Sequence, residues 1–170
     1  YITPESRVLY HREIRGRAEK ALSFLSWDDD PYLVITDDGR LKWMMDAYTK
    51  GYRYPYSRYV ADGANYMRNS VKVVIDAYDG DLKAYVADPG DPLIRTYAKI
   101  FAGVFLPLDE MPGDIRAHIR YPQDLFEIQT GLYTTYHMDE PDVFYHREDQ
   151  WQIPLVSGRE GSRDPFLRHI

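Results

Sequence analysis

Two Asp-Gly dipeptides, at 38–39 and 79–80, constrain the fold of this chain more than any other feature of its sequence. Asp-Gly readily adopts the positive backbone angles that tight hairpin turns require. The turns are flanked by segments rich in aliphatic, aromatic and β-branched residues, at 32–36, 41–49, 71–78 and 82–87. We therefore predict two β-hairpins, which together form a four-stranded antiparallel sheet.

The second hairpin also predicts a register. A two-residue Asp-Gly loop places three apolar pairs opposite one another: Ala77 with Leu82, Ile75 with Ala84, and Val73 with Val86. Because alternate residues of a strand share a face, all three pairs would lie on the buried face of the sheet. Turn type and hydrophobic pattern therefore agree on this pairing.

Helical patterns flank the predicted sheet on both sides in the sequence. Thr-Pro-Glu at 3–5 has the composition of a helix start, and we predict a helix over 3–25. Its apolar stripe consists of Ile14, Ala18, Ala21, Leu22 and Leu25. Further helices are predicted to begin at Asp91-Pro92, at Pro112 and at Pro122, and a short one to cover 142–148. The predicted fold is α+β: an antiparallel sheet of about four strands, packed by an N-terminal helix and several C-terminal helices.

A length of 170 residues, with 44% hydrophobic and 28% charged residues, is typical of one globular domain. We predict a single domain over 1–156 and a polar linker or tail over 157–170. The first residue is Tyr rather than Met, so we expect a fragment of a larger protein. The longest apolar run, 100–106, is too short to span a membrane.

Charge and residue types exclude several classes of function. A net charge of −6 argues against nucleic acid as a partner. The chain has no cysteine, which removes disulfides, thiolate nucleophiles and cysteine metal ligands. It also lacks HxxxH, HExxH and a phosphate-binding loop, so we expect no metal site and no cofactor. A weaker alternative is a metal site at His137 and His146, which only folding could bring together.

The segment 51–69, between the hairpins, contains five of the 16 tyrosines and reads as an ordered loop. Tyrosine combines an apolar ring with a polar tip and suits half-exposed surfaces. Long loops in compact domains are often functional. We therefore predict a binding surface at Tyr52, Tyr54, Tyr56 and Tyr59, and this prediction fails if all four prove to be buried.

A second candidate surface lies in 116–149, which is dense in aromatic residues, His, Arg and carboxylates. Its candidate binding residues are Arg116, Arg120, Tyr121, Asp124, His137, Tyr145, Arg147 and Glu148. Arginine beside aromatic rings can bind sugars, carboxylates or a peptide. The same arrangement can instead join helices through Arg–carboxylate bonds. Carboxylates within 124–149 could also supply a pair for glycoside hydrolysis, although no spacing singles out two of them.

Three long segments resemble one family: WDDDPYLV at 27–34, NYMRNSVKVVIDAYDGDLKAYVADPGDPLIRTYAKIF at 65–101, and MPGDIRAHIRYPQDLFEIQTGLYTTYHMDEPDVFYHREDQWQIP at 111–154. They resemble UPF0182, an uncharacterised family of bacterial multi-pass membrane proteins. His146 stands where the family pattern suggests Asn, and 51–64 matches least well. The resemblance implies a piece of the large soluble region of such a protein, on the extracytoplasmic side of the cell membrane. It implies no catalytic residue.

The first functional hypothesis is therefore an extracytoplasmic binding module. Its partner would be another region of the same membrane protein or an envelope component. The alternative is a hydrolase acting on the envelope, with carboxylates from 124–149. Whether the chain is an enzyme is left open by the sequence.

Overall fold

The computed structural model describes residues 2–6, 8, 10–60, 62–157 and 163–165. The chain forms two compact units, Tyr1–Ile119 and Arg120–Ile170. The single domain expected over 1–156 stays a prediction.

The first unit is built on a six-stranded sheet, which confirms the α+β class. Its strands are β1 (Ser26–Trp27), β2 (Tyr32–Ile35), β3 (Leu41–Gly51), β4 (Tyr66–Asp76), β5 (Leu82–Val86) and β6 (Phe105–Pro107). The order is β1-β3-β4-β5-β6, and β2 pairs with β3 beyond the part that β1 occupies. Both hairpins, β2–β3 and β4–β5, are antiparallel as predicted. β6 adds a parallel neighbour to β5, so the sheet is mixed.

The register predicted for the second hairpin is wrong by two residues. Ile75 pairs with Leu82, and Val73 pairs with Ala84. The backbone N–H of Asp76 donates to the carbonyl of Asp81 at 2.9 Å, so the loop has four residues rather than two. A shift of two residues leaves every side chain on its original face, so the hydrophobic pattern fits both registers equally.

The Asp76 side chain explains why this strand ends early. Its carboxylate accepts hydrogen bonds from the backbone N–H groups of Tyr78 and Asp79, at 2.8 and 3.3 Å. It also accepts from the Arg40 guanidinium at 2.8 Å and from the Lys42 ammonium. These bonds fold the chain into a turn immediately after Asp76, before the Asp-Gly pair is reached.

Replacing Asp76 with asparagine is expected to lower the free energy of unfolding at pH 7 by about 2 kcal/mol. Burial alone raises the pKa of Asp76, but Lys42, Arg40 and the two N–H donors outweigh it and hold the pKa far below its usual range. The contribution is therefore complete above the unfolded pKa of about 4 and is lost as pH falls towards the folded value. Urea unfolding of the wild type and of Asp76→Asn, at pH 7 and at pH 3, measures the difference between their free energies of unfolding.

The difference in free energy of unfolding between the wild type and Asp76→Asn should be smaller at pH 3 than at pH 7. Asp79→Asn is the matched control, since the Asp79 side chain is half exposed and lies 3.8 Å from the same guanidinium. An equal gap at both pH values would contradict the assigned role of Asp76.

The N-terminal helix is shorter than predicted. α1 covers Ile14–Ala21, and the Glu13 carboxylate caps it by accepting from the backbone N–H of Arg15. In the described part of the segment before it, the backbone N–H of Ser6 donates to the carbonyl of Thr3 at 2.9 Å and closes a turn. His11 has a φ of 51°, a left-handed conformation that no helix residue adopts. The predicted helix start at 3–5 is therefore wrong.

Helices and a short connection cover the two faces of the sheet. The elements concerned are α2 (Pro92–Ile100), a 3-10 turn (Leu108–Glu110) and α3 (Gly113–Arg116). Ala18 of α1, Leu22 directly after it and Ile94 of α2 belong to a core that contains Met45 and Val73. Met111 and Ile115 belong to a second core, which contains Met44, Val74 and Tyr85. Adjacent residues of β3 and β4 thus alternate between the two cores, which explains the nearly continuous apolar character of these strands.

Charged groups are buried on the face of the sheet that carries Met44. Lys72 and Asp46 form an ion pair in which both side chains are more than nine-tenths buried. Asn69 donates to the same carboxylate at 3.0 Å. The hydroxyl of Tyr48, which is also in β3, donates to the carboxylate of Asp28, the residue directly after β1. Burial raises the pKa of Asp46, and the charge and hydrogen bond of Lys72 oppose that rise.

The second unit contains α4 (Gln123–Tyr136), α5 (Pro141–His146), and the strands β7 (Leu155–Ser157) and β8 (Arg163–Pro165). Helix starts near Pro122 and Pro141 agree with the sequence prediction. β7 and β8 pair in antiparallel fashion, so part of the expected polar tail forms a strand. Residues 158–162 and 166–170 of that tail lie outside the described residues.

Candidate functional site

The tyrosine-rich loop presents its rings to solvent. Tyr52, Tyr54 and Tyr59 are 56%, 57% and 61% exposed, and Tyr56 is fully exposed. The prediction of a binding surface here would fail if all four tyrosines were buried, and all four are exposed. Tyr56 also has a φ of 57°, in the left-handed region that costs a non-glycine residue about 1 kcal/mol or more.

Part of the loop forms one wall of a groove in the first unit. This aromatic groove has a volume of about 450 Å³ and is lined by Tyr52, Tyr54, Pro55, Tyr66, Pro92 and Leu93. The rings of Tyr54 and Tyr66 stack with their centroids 5.4 Å apart and their planes at 27°. The groove therefore joins the loop, the start of β4 and the first turn of α2.

Asn65 holds the loop wall in place. Its side-chain oxygen accepts from the backbone N–H of Tyr54 at 2.9 Å, and its amide donates to the carbonyl of Tyr54 at 2.8 Å. The Ser57 hydroxyl donates to the carbonyl of Asn65 at 2.6 Å, and the N–H of Asn65 donates to Gly51 at 2.9 Å. These bonds fix the backbone on either side of Tyr54, so the groove is formed before any ligand arrives.

Asp91 fixes the opposite wall from beneath. This fully buried carboxylate accepts from the hydroxyls of Tyr66 and Ser70, both at 2.6 Å, and from that of Thr49 at 2.5 Å. It also caps α2 by accepting from the N–H groups of Leu93 and Ile94. The same carboxylate thus positions Tyr66 and the Pro92–Leu93 turn, which together form one side of the aromatic groove.

The electrostatics of this cluster follow from its donors. Burial alone raises the pKa of Asp91, but hydrogen bonds from Ser70, Thr49, Tyr66 and the helix cap lower it below its usual range. Burial and the hydrogen bond to Asp91 raise the pKa of Tyr66 to about 12. Asp91 is therefore a carboxylate and Tyr66 a phenol at neutral pH, and neither serves as an acid or base in that range.

Arg53 is the charged residue among those that line the groove. Lys50 pairs with Asp62 at 2.6 Å, and Arg68 pairs with Asp88 at 2.8 Å. Arg53 lines the groove, is exposed, and makes no hydrogen bond or ion pair within the part of the chain that the structure describes. Its guanidinium is therefore available to an anionic group of a ligand.

Arg116, the first candidate of the 116–149 region, lies in α3 of the first unit. It is exposed and pairs at 3.0 Å with Asp109, which is itself largely exposed. Such a pair contributes little to stability.

The remaining candidates of that region lie in the second unit. Tyr121 donates to Gln129 at the exposed surface, and Asp124 lies in the first turn of α4. Tyr145, Arg147 and Glu148 are exposed around the end of α5, where Arg147 adopts a left-handed φ of 54°. Arg120 is also exposed, and it interacts with another residue of the chain. That two carboxylates within 124–149 act together in hydrolysis stays a prediction.

The His137 side chain is more than nine-tenths buried. His137 ends α4, its Nδ1 lies 2.9 Å from the carbonyl of Tyr133, and its ring stacks on Trp151 at 3.9 Å. Its Nε2 lies 3.6 Å from the Asp149 carboxylate. His146 instead contacts the ring of Tyr145 edge-on. Within the described ranges, no three His, Asp or Glu side chains are grouped as metal ligands.

The groove residues Arg53, Asn65, Tyr66, Pro92 and Leu93 were not among the predicted site residues. Tyr66 lies within the tyrosine-rich segment, and Asp91-Pro92 was identified as a helix start. Nothing in their spacing shows that the first turn of this helix and the loop would form opposite walls of one groove.

The model of an uncharacterised protein family, UPF0182, matches residues 1–166. The chain belongs to UPF0182. Relatives of the same family include proteins of Geobacter sp. (strain M21), Desulforamulus reducens and Synechococcus sp. (strain JA-3-3Ab), which are 51%, 52% and 55% identical to it over 165, 168 and 154 residues.

These matches cover 97%, 97% and 90% of this UPF0182 chain but 18% of each relative. The chain therefore spans less than one fifth of the length of the curated UPF0182 proteins it matches. No solved structure matches it. Among the described residues, no helix has the length and apolar character needed to cross a membrane.

Proposed function

We propose that this chain is part of the extracytoplasmic region of a bacterial multi-pass membrane protein and acts there as a binding module. Its partner is another region of the same protein or a component of the cell envelope, and it binds in the aromatic groove. The location rests on the resemblance of the chain to its family. The binding role rests on the groove itself.

The observation that carries the binding role is the combination of exposed rings and a fixed backbone. Large apolar side chains are seldom left exposed together on a monomer without a use for them. Here Tyr52 and Tyr54 are exposed, yet Asn65 and Asp91 hold both walls in position. A groove that is already formed binds with a smaller loss of conformational freedom than a mobile loop does.

Photo-crosslinking in intact cells tests this proposal. A full-length UPF0182 protein carries p-benzoylphenylalanine in place of Tyr52, and in a control in place of Lys99, an exposed residue at the end of α2. We expect one defined adduct at Tyr52, none at Lys99, and loss of the adduct when Tyr54→Ala is added. Protease applied outside spheroplasts should digest the adduct.

Two results would contradict the proposal in different ways. Equal crosslinking at Tyr52 and Lys99, or an adduct insensitive to Tyr54→Ala, would remove the groove as a binding site. An adduct that external protease leaves intact until the cells are lysed would remove the extracytoplasmic location and leave the binding role standing.

A further inference from the structure

The chemistry of the aromatic groove restricts what it can bind. Its walls are ring faces, two prolines and a leucine, so the surface offered to a ligand is overwhelmingly carbon. A saccharide carries a hydroxyl on most of its carbons, and each hydroxyl buried without a partner weakens binding. Proline rings present carbon on all sides and lack a backbone donor that needs a partner. The groove is therefore better suited to an extended proline-rich segment than to a glycan.

Hydrogen-bond donors at the groove fit the same ligand. Tyr66 donates to Asp91 and presents only its ring. The hydroxyls of Tyr52 and Tyr54 have no partner within the described part of the chain. A polyproline II helix has no internal hydrogen bonds and leaves its carbonyls open to such donors. Aromatic-lined grooves with hydroxyl donors are a recurring way in which proteins bind this conformation.

Charge adds a second requirement. Near the groove, Lys50 pairs with Asp62 and Arg68 pairs with Asp88, while five hydrogen-bond donors hold the buried Asp91 carboxylate. Arg53 alone among the groove-lining residues carries a charge, and it lies at the solvent-exposed rim. A carboxylate on the ligand can form a bidentate pair with it, whereas a lysine there would be repelled.

We propose that the aromatic groove binds an extended, proline-rich peptide segment that carries an acidic side chain opposite Arg53. This inference rests on the proposed binding function and names the chemistry of the partner. Proline rings pack on Tyr54, Tyr66 and Leu93, the hydroxyls of Tyr52 and Tyr54 donate to ligand carbonyls, and Arg53 selects the acidic residue.

Fluorescence anisotropy with labelled decapeptides tests the inference on this chain. The probes are a proline decapeptide with one central Asp, the same peptide with Lys in place of Asp, and a Gly-Ser decapeptide with the same Asp. We expect the proline–Asp probe to bind at least about tenfold more tightly than either of the others. Tyr54→Ala should weaken it by about tenfold or more.

A charge exchange makes the test specific. Arg53→Glu should weaken the proline–Asp probe about tenfold and strengthen the proline–Lys probe, since the sign of the rim charge is reversed. The matched control is Tyr10→Ala, which removes a 72% exposed tyrosine that does not line the groove. It should leave all affinities unchanged, and circular dichroism should show that each variant is folded.

Each other outcome overturns a defined part of the inference. Equal binding of the proline–Asp and proline–Lys probes removes the acidic requirement, and equal binding of the Gly-Ser probe removes the proline requirement. Binding of a soluble peptidoglycan digest in place of all three peptides assigns the groove to a glycan. If no probe binds while the Tyr52 adduct still forms in cells, the peptide chemistry is wrong and the binding role stands. If both fail, both are wrong.

Discussion

Asp91→Ala is expected to lower the free energy of unfolding of the first unit by about 4 kcal/mol. The substitution removes the shared acceptor of the buried Thr49 and Ser70 hydroxyls, which can then pair only with each other, and of the partly buried Tyr66 hydroxyl; an unpaired buried donor costs roughly 1–3 kcal/mol. It also removes the cap of α2, which contributes about 1 kcal/mol more. Urea unfolding at pH 7, followed by tryptophan fluorescence, measures the loss.

Two control variants separate the role of the Asp91 hydrogen bonds from a general effect of removing a charge. Asp91→Asn keeps an oxygen that accepts from two of the donors, so it should fall between the wild type and Asp91→Ala. Asp109→Ala removes a carboxylate from the exposed pair with Arg116 and should change stability little. Equal losses in Asp91→Ala and Asp109→Ala would contradict the role of Asp91.

Lys72→Met is expected to destabilise the same unit by about 3–5 kcal/mol, because it leaves the buried Asp46 carboxylate without its cation. The pKa of Asp46 is already raised by burial, and the loss of Lys72 raises it further. A raised folded pKa means that protonation favours the folded state, so the variant should recover stability as pH falls from 7 towards the unfolded value of about 4. Urea unfolding curves of Lys72→Met at pH 7 and at pH 5 measure how much stability the variant recovers.

A double-mutant cycle isolates the buried pair. Lys72→Met with Asp46→Leu removes both charges, so the double variant should lose less stability than the two single losses added together, by about 1–3 kcal/mol. Lys83→Met, at an exposed position of β5, is the matched control and should change stability little. Strict additivity in the cycle would contradict the energetic coupling of Lys72 and Asp46.

Local signals in the sequence were sufficient for the central part of the fold. The Asp-Gly pairs at 38–39 and 79–80 identify both hairpins, although not the register of the second, and Asp91-Pro92 identifies the start of α2 to the residue. The predicted N-terminal helix shows the limit of such signals. All of its stripe residues lie at Ile14 or later, so only the 3–5 motif supported the earlier start, and the backbone at His11 excludes it.

Features set by distant contacts could not be predicted. β1 and β6 have two and three residues, too few for an alternating pattern, and they exist because β3 and β5 offer edges to pair with. The register of the second hairpin depends on Arg40 and Lys42, which bind Asp76 from 36 and 34 residues away. The groove likewise requires Tyr54, Tyr66 and Pro92 to meet across three separate elements.

The parallel pairing of β6 with β5 has a consequence for the order of folding. Each pairing between β2, β3, β4 and β5 joins strands that are consecutive in the chain, so these strands can assemble stepwise by local closure. β6 cannot, since parallel neighbours require a crossover, and here α2 makes that crossover. We expect the wall of the groove formed by Pro92 and Leu93 to assemble only once β3 and β4 have paired, because Asp91, which fixes that wall, binds Thr49, Ser70 and Tyr66 of those two strands. A nascent or partly unfolded chain would have its loop tyrosines but no groove for them to line, which ties ligand recognition to completion of the fold.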